Sequence, residues 1–112
     1  MIYSYILIYK SLYTNMNDKE IVKIYKALSV GSRLQILKLI KDRKLCVNAI
    51  TKKLSISQPA VSQHLSVLKD AGLVKSDRYG SIIHYTIDRK RLENFKKSVK
   101  NTLGDEFIII GK

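Results

Sequence analysis

The chain has 112 residues, the size of one domain, and its 46% apolar and 27% charged residues read as globular rather than disordered. Against 9 Asp and Glu stand 21 Lys and Arg, a formal net charge of +12, which attracts polyanions: nucleic acid or an anionic membrane surface. A lone cysteine, Cys46, excludes an internal disulfide framework and fits a reducing cytoplasm; with only His64 and His84 beside it, few soft-metal ligands are available.

A domain this small buries only part of its unfolded surface, so a second subunit completing the core is expected. In chain order, the stretch from Ile2 to Tyr9 is apolar, but Lys10 interrupts it well short of the ~20 residues that cross a bilayer. It has neither a basic start nor a small-residue cleavage site. Two readings of residues 1–15 stand: a helix or arm packed on a partner subunit, or residues upstream of a true start at Met16. Asn17 followed by Glu20 reads as a relaxed capping box, opening a helix with Ile21, Ile24, Tyr25 and Leu28 at helical spacing. Gly31 is expected to break it. A second helix follows from about Ser32, with Leu34, Leu37 and Ile40 inward and Arg33, Lys38 and Lys41 outward. The basic turn Asp42-Arg43-Lys44 closes it.

Residues 46–54 read as a short third helix, with Val47, Ile50 and Leu54 on its stripe and Lys52 and Lys53 outside. Ser55-Ile56-Ser57 is the turn. Ser57 is an N-cap and Pro59 sits in the first turn of a fourth helix, where a missing N–H costs nothing. That helix runs from Gln58 to about Ala71, with Val61, Leu65 and Leu68 at i, i+4 and i+7. Gly72 ends it. Leu73 to Arg78 and Ile82 to Ile87, the second rich in β-branched and aromatic residues, form a hairpin across Tyr79-Gly80-Ser81. Asp88 caps a last helix whose stripe is Leu92, Phe95, Val99 and Leu103, with Arg89, Lys90, Arg91, Lys96, Lys97 and Lys100 on its other faces; Gly104 stops it. Residues 16–104 form the domain and 105–112 a tail.

A short helix, a three-residue turn and a second helix make a helix-turn-helix, and a hairpin directly after it makes a wing. The expected fold is therefore mostly α with a β-hairpin wing, paired through its terminal helices. The major groove of B-DNA admits one α-helix, so such a helix must bury one face and keep the other polar. Removing Val61, Leu65 and Leu68 from the fourth helix leaves Gln58, Ser62, Gln63 and Ser66. Glutamine can read adenine bidentately and serine can reach bases or phosphates. With Ser57 at the helix start, these are the expected base-side contacts.

The runs from Lys26 to Leu37 (KALSVGSRLQIL) and from Leu54 to Val74 (LSISQPAVSQHLSVLKDAGLV) resemble the ArsR/SmtB repressors, over roughly residues 20–95. The second run is the specific part. The resemblance implies a homodimer that represses its own operon and releases DNA when an effector binds. It also implies that the wing lies on the neighbouring backbone or minor groove, through Lys75, Arg78, Tyr79, Ser81 and His84 as candidates. His64, within the Ser-x-His-Leu run, is given a DNA-proximal or packing role rather than a metal role.

Metal-sensing members of that family use a Cys-x-Cys pair before the turn. Here Cys46 matches the first ligand and Asn48 stands where the second belongs. One thiolate per subunit cannot build a three- or four-ligand soft-metal site. A second family site uses Asp-x-His and later histidines. In this chain Asp88 is followed by Arg89 and Lys90, with no histidine after His84. No metal or cofactor is expected, with Cys46 the one candidate ligand, and the effector is unnamed. No catalytic constellation or phosphate loop is present. The reading is a double-stranded-DNA-binding regulator; the alternative is a winged-helix module that binds protein or RNA.

Overall fold

A computed structural model describes residues 16–104; the expected N-terminal arm and C-terminal tail lie outside the described residues. The first helix, α1, spans Asp18–Leu28, and the Asn17 side chain accepts from the Glu20 backbone N–H at 2.9 Å, the cap that the sequence spacing implies. Asp18 and Glu20 in its first turn and Lys26 in its last complement the helix dipole. The next helix, α2, spans Gly31–Ile40. Gly31 is its first residue rather than the break. The chain turns instead at Ser29 and Val30, where the Ser29 backbone N–H and hydroxyl both donate to the Lys26 carbonyl.

The face of α2 also differs from expectation. Ile36 and Ile40 are fully buried, Leu37 is half-buried and Leu34 is 43% exposed. Apolar side chains occupy Leu34, Ile36, Leu37, Leu39 and Ile40, all round the helix, so periodicity alone does not choose a side. The surrounding elements chose 36 and 40.

Leu45–Cys46 form a two-residue strand, β1, before α3 (Val47–Leu54). Cys46, expected at the start of a helix, therefore lies in a strand and serves as the cap position of α3. Helix α4 spans Gln58–Asp70, β2 Val74–Tyr79, β3 Ile82–Ile87 and α5 Arg89–Leu103. The wing is thus a three-stranded antiparallel sheet in the order β1-β3-β2. Leu45 pairs with Tyr85 and Cys46 with His84, while Val74 pairs with Ile87 and Tyr79 with Ile82. Two residues, Gly80 and Ser81, join β2 to β3. Gly80 sits at φ +64°, the left-handed sign that tight two-residue hairpin loops require.

The core gathers Ile24 from α1, Ile36 and Ile40 from α2, Ile50 from α3, and Val61, Leu65 and Leu68 from α4. Leu73 from the turn after α4, Val74 and Ile87 from the sheet, and Phe95 and Val99 from α5 close it. Asp88 accepts from the Arg91 backbone N–H at 3.1 Å and so starts α5 as expected.

Candidate nucleic-acid interface

The turn between α3 and α4 is held by backbone geometry. Ser55 adopts φ +55°, ψ +39°, and its N–H donates to the Thr51 carbonyl at 2.9 Å, which stops α3. Two residues later the Ser57 hydroxyl accepts from the Ala60 N–H at 3.2 Å, and Pro59 sits in the first turn. Helix α4 ends as crisply. The Leu73 N–H reaches the Leu68 carbonyl at 3.0 Å and the Gly72 N–H reaches Lys69 at 2.9 Å, with Gly72 at φ +86°. This is the paired arrangement of a Schellman motif.

Val61, Leu65 and Leu68 are at most 1% exposed, which anchors one side of α4. Gln58, Ser62, Gln63 and Ser66 are all exposed, as is the capping Ser57. At 100° per residue Gln63 and Ser66 stand opposite the buried stripe, and Gln58 and Ser62 flank it. His64 falls on the other flank. It is half-buried, and its Nδ1 is enclosed without a hydrogen-bond partner among the described residues.

The wing presents its candidate residues on two faces. Alternation along β2 puts Arg78 on the same face as buried Val74 and half-buried Ser76, the side packed toward α4. The Lys69 ammonium donates to the Ser76 hydroxyl at 2.7 Å and ties α4 to that strand. Lys75 and Tyr79 lie on the opposite face. There the Tyr79 ring meets His84 edge-on at 5.2 Å, and the Lys44 ammonium donates to the Tyr79 hydroxyl at 2.8 Å while lying 5.2 Å from the ring centre. That accepted hydrogen bond, then the charge interactions with Tyr79 and Asp77, hold the Lys44 pKa above the ordinary 10.5. At the tip, Ser81 and Gln58 line one cleft of about 260 Å³ together with Asn48 and Ile83. The start of α4 and the end of the wing therefore border the same space.

Two residues that the sequence reading does not single out neighbour these candidates, one on each face of the wing. Lys69 shares a helix flank with Gln58 and Ser62, and helical spacing would have found it. Lys44 meets Tyr79 from 35 positions away in sequence, and no local pattern signals that contact. The last-helix stripe divides. Phe95 and Val99 are 7% exposed within one chain, with Phe95 edge-on to Tyr25 at 5.3 Å; Leu92 is half-buried and Leu103 is 51% exposed. Cys46 is half-buried and Asn48 exposed. Among the described residues no group of three or more His, Cys, Asp or Glu side chains could hold a metal ion.

Residues 31–76, from α2 into β2, match the family profile described as bacterial regulatory protein, arsR family. The chain is 37% identical over 97 residues to the uncharacterized HTH-type transcriptional regulator YbzH of Bacillus subtilis, covering 70% of this chain and 97% of that one. It is 32% identical to the transcriptional repressor SdpR of the same organism over 63% of this chain and 79% of SdpR. It is 37% identical to the transcriptional activator HlyU of Vibrio cholerae over 63% of this chain and 66% of HlyU. Among solved structures, the homodimeric winged helix-turn-helix DNA-binding domain of Mb0332 from Mycobacterium bovis superposes with a TM-score of 0.62 at 30% identity, covering 78% of this chain and 89% of that one. With the matched profile lying on the helix-turn-helix and a relative aligned along nearly its whole length, the chain belongs to the arsR family of bacterial regulatory proteins.

Proposed function

We propose that the protein is a homodimeric repressor that reads an inverted-repeat operator in double-stranded DNA with α4 and grips the flanking backbone with its wing. One observation carries the reading: α4 is anchored on one side by Val61, Leu65 and Leu68 and leaves Gln58, Ser62, Gln63 and Ser66 exposed away from that stripe. In this reading Ser57, Gln58, Ser62, Gln63 and Ser66 approach base edges, His64 lies near the backbone, and Arg78, Lys75, Tyr79 and Ser81 meet phosphates or the minor groove. Two-fold pairing through Leu103, Leu92 and the exposed side of α1, where Val22 is 47% and Tyr25 40% exposed, places two recognition helices about one DNA turn apart. Phe95 and Val99 support that surface from beneath.

Repression follows from occupying the operator; the name of SdpR supports it, and that of HlyU makes activation the opposite outcome of the same experiment. The protein acts by binding rather than by catalysis, in the cytoplasm, without a metal site at Cys46. No helix of the described residues is long and apolar enough to cross a membrane. The test is a titration of a duplex carrying the inverted repeat found upstream of the protein's own gene, against a scrambled duplex and a single-stranded RNA, at rising salt. A sequence preference that survives salt supports the proposal; equal affinities that all collapse together reduce the protein to a polyanion binder. Transcription from that promoter with and without the protein reads the sign.

A further inference from the structure

An apolar groove of about 280 Å³ lies on the side of the domain formed by α2, α5 and the base of the wing. One stripe of α2 forms its wall: Leu34, Leu37, Lys38 and Lys41, at i, i+3, i+4 and i+7. Facing that stripe are Leu73, Ile87 and Leu92. Leu34 remains 43% exposed there, although the core just beneath it is closed. Lys38 and Lys41 are exposed on the wall, and among the described residues no ion pair joins either ammonium to a carboxylate.

A greasy slot with two uncompensated cations on its wall fits a molecule with an apolar body and an anionic head. The volume falls just below the roughly 300–1,000 Å³ of sites for drug-sized ligands, which suits a chain of medium length rather than a whole lipid. We infer that this groove binds a medium-chain alkyl carboxylate, its chain against Leu34, Leu37 and Ile87 and its carboxylate between Lys38 and Lys41. The site lies at the junction that orients the DNA-reading parts. Leu73 closes the Schellman motif at the end of α4, and its carbonyl accepts the Asp88 N–H at 2.9 Å, which joins the end of β3 to the start of α5. A chain wedged against Leu73 and Ile87 bears on α4, the wing and α5 together. Its regulatory consequence, release of DNA, rests on the function proposed above; its binding does not.

Calorimetry of the full-length protein with decanoate, below its micellar concentration, tests the site directly. One saturable site per subunit is expected, with decanol binding at least tenfold more weakly. Leu34→Glu abolishes decanoate binding, and Lys38→Gln with Lys41→Gln weakens it about tenfold, the size of two surface charge interactions. All three positions are exposed, so the fold tolerates these changes. No saturable heat, or binding that ignores both variants, overturns the site and indicates that a second copy or another segment of the chain covers the groove. Decanol matching decanoate overturns the anionic head. In a parallel arm, decanoate is expected to lower operator affinity at least tenfold; binding without that loss overturns the effector role. If no operator is found, that failure belongs to the proposed function, and calorimetry still decides the groove.

Discussion

Replacing Gly72 by alanine tests the junction between α4 and the wing. Gly72 sits at φ +86°, where an L side chain costs about 1–2 kcal/mol; the stiffer unfolded chain returns about 0.4–1 kcal/mol of that. A Cβ built there lies 2.7 Å from the Arg91 Nε and 3.3 Å from its Cγ, so the Arg91 side chain must move. Its guanidinium is 3.6 Å from the Glu20 carboxylate in a partly exposed pair, worth at most about 1 kcal/mol. The sum is a loss of about 1–2 kcal/mol, read as the shift in urea midpoint at fixed protein concentration, since a dimer's stability depends on that concentration. For a domain of this size each kcal/mol lowers Tm by about 4–8 °C. In an Arg91→Ala background the same change should cost only its backbone part, because the clash and the ion pair are already gone. An unchanged midpoint for Gly72→Ala would show that the left-handed turn is not needed, and an equal loss in both backgrounds would show that its packing on Arg91 does not hold α4 to α5.

Arg78→Ala should weaken binding to every duplex alike and lower the salt slope by about one unit, measured by anisotropy at several salt concentrations; a change confined to one base pair would remove Arg78 from the backbone. Leu103→Glu should convert the dimer to a folded monomer by light scattering, with helical content retained, because Leu103 is 51% exposed and contributes little to its own chain's core; an unchanged dimer would take the end of α5 out of the interface. The Lys44 pKa is raised in the folded protein, so its stabilising contribution is present below the ordinary 10.5 and fades as pH climbs through the raised folded value. Tyr79→Phe removes the acceptor and should return the Lys44 titration, followed by NMR, toward 10.5; a titration that stays put would mean Tyr79 is not the cause.

The features legible in the sequence are those whose causes are local. Asn17 to Glu20, Ser57 to Ala60 and Asp88 to Arg91 each close within three residues, so side-chain chemistry at the cap position names the helix start. Gly72 was legible for the same reason, and so was α4, where Val61, Leu65 and Leu68 form one narrow stripe. The buried face of α2 was not legible, because apolar residues surround it and only tertiary packing selects Ile36 over Leu34. Strand β1 is not legible in the sequence because two residues carry no period and Leu45–Cys46 is defined by its pairing with β3. The candidate interface divides the same way: its helix residues come from a local pattern, whereas the Lys44–Tyr79 contact and the split of Lys75 and Arg78 between opposite wing faces need the sheet register. The family resemblance pointed to the wing, but pleat and register decide which of its side chains can share a surface with α4.

The most direct test of the account compares wild type with Gln63→Ala on a panel of operators, each altered at one base pair. Gln63 projects opposite the anchored stripe of α4, so the substitution should leave the fold intact and erase about 1–3 kcal/mol of discrimination at a single position in each half-site. Identical discrimination profiles for the two proteins would contradict the claim that the outward face of α4 reads DNA.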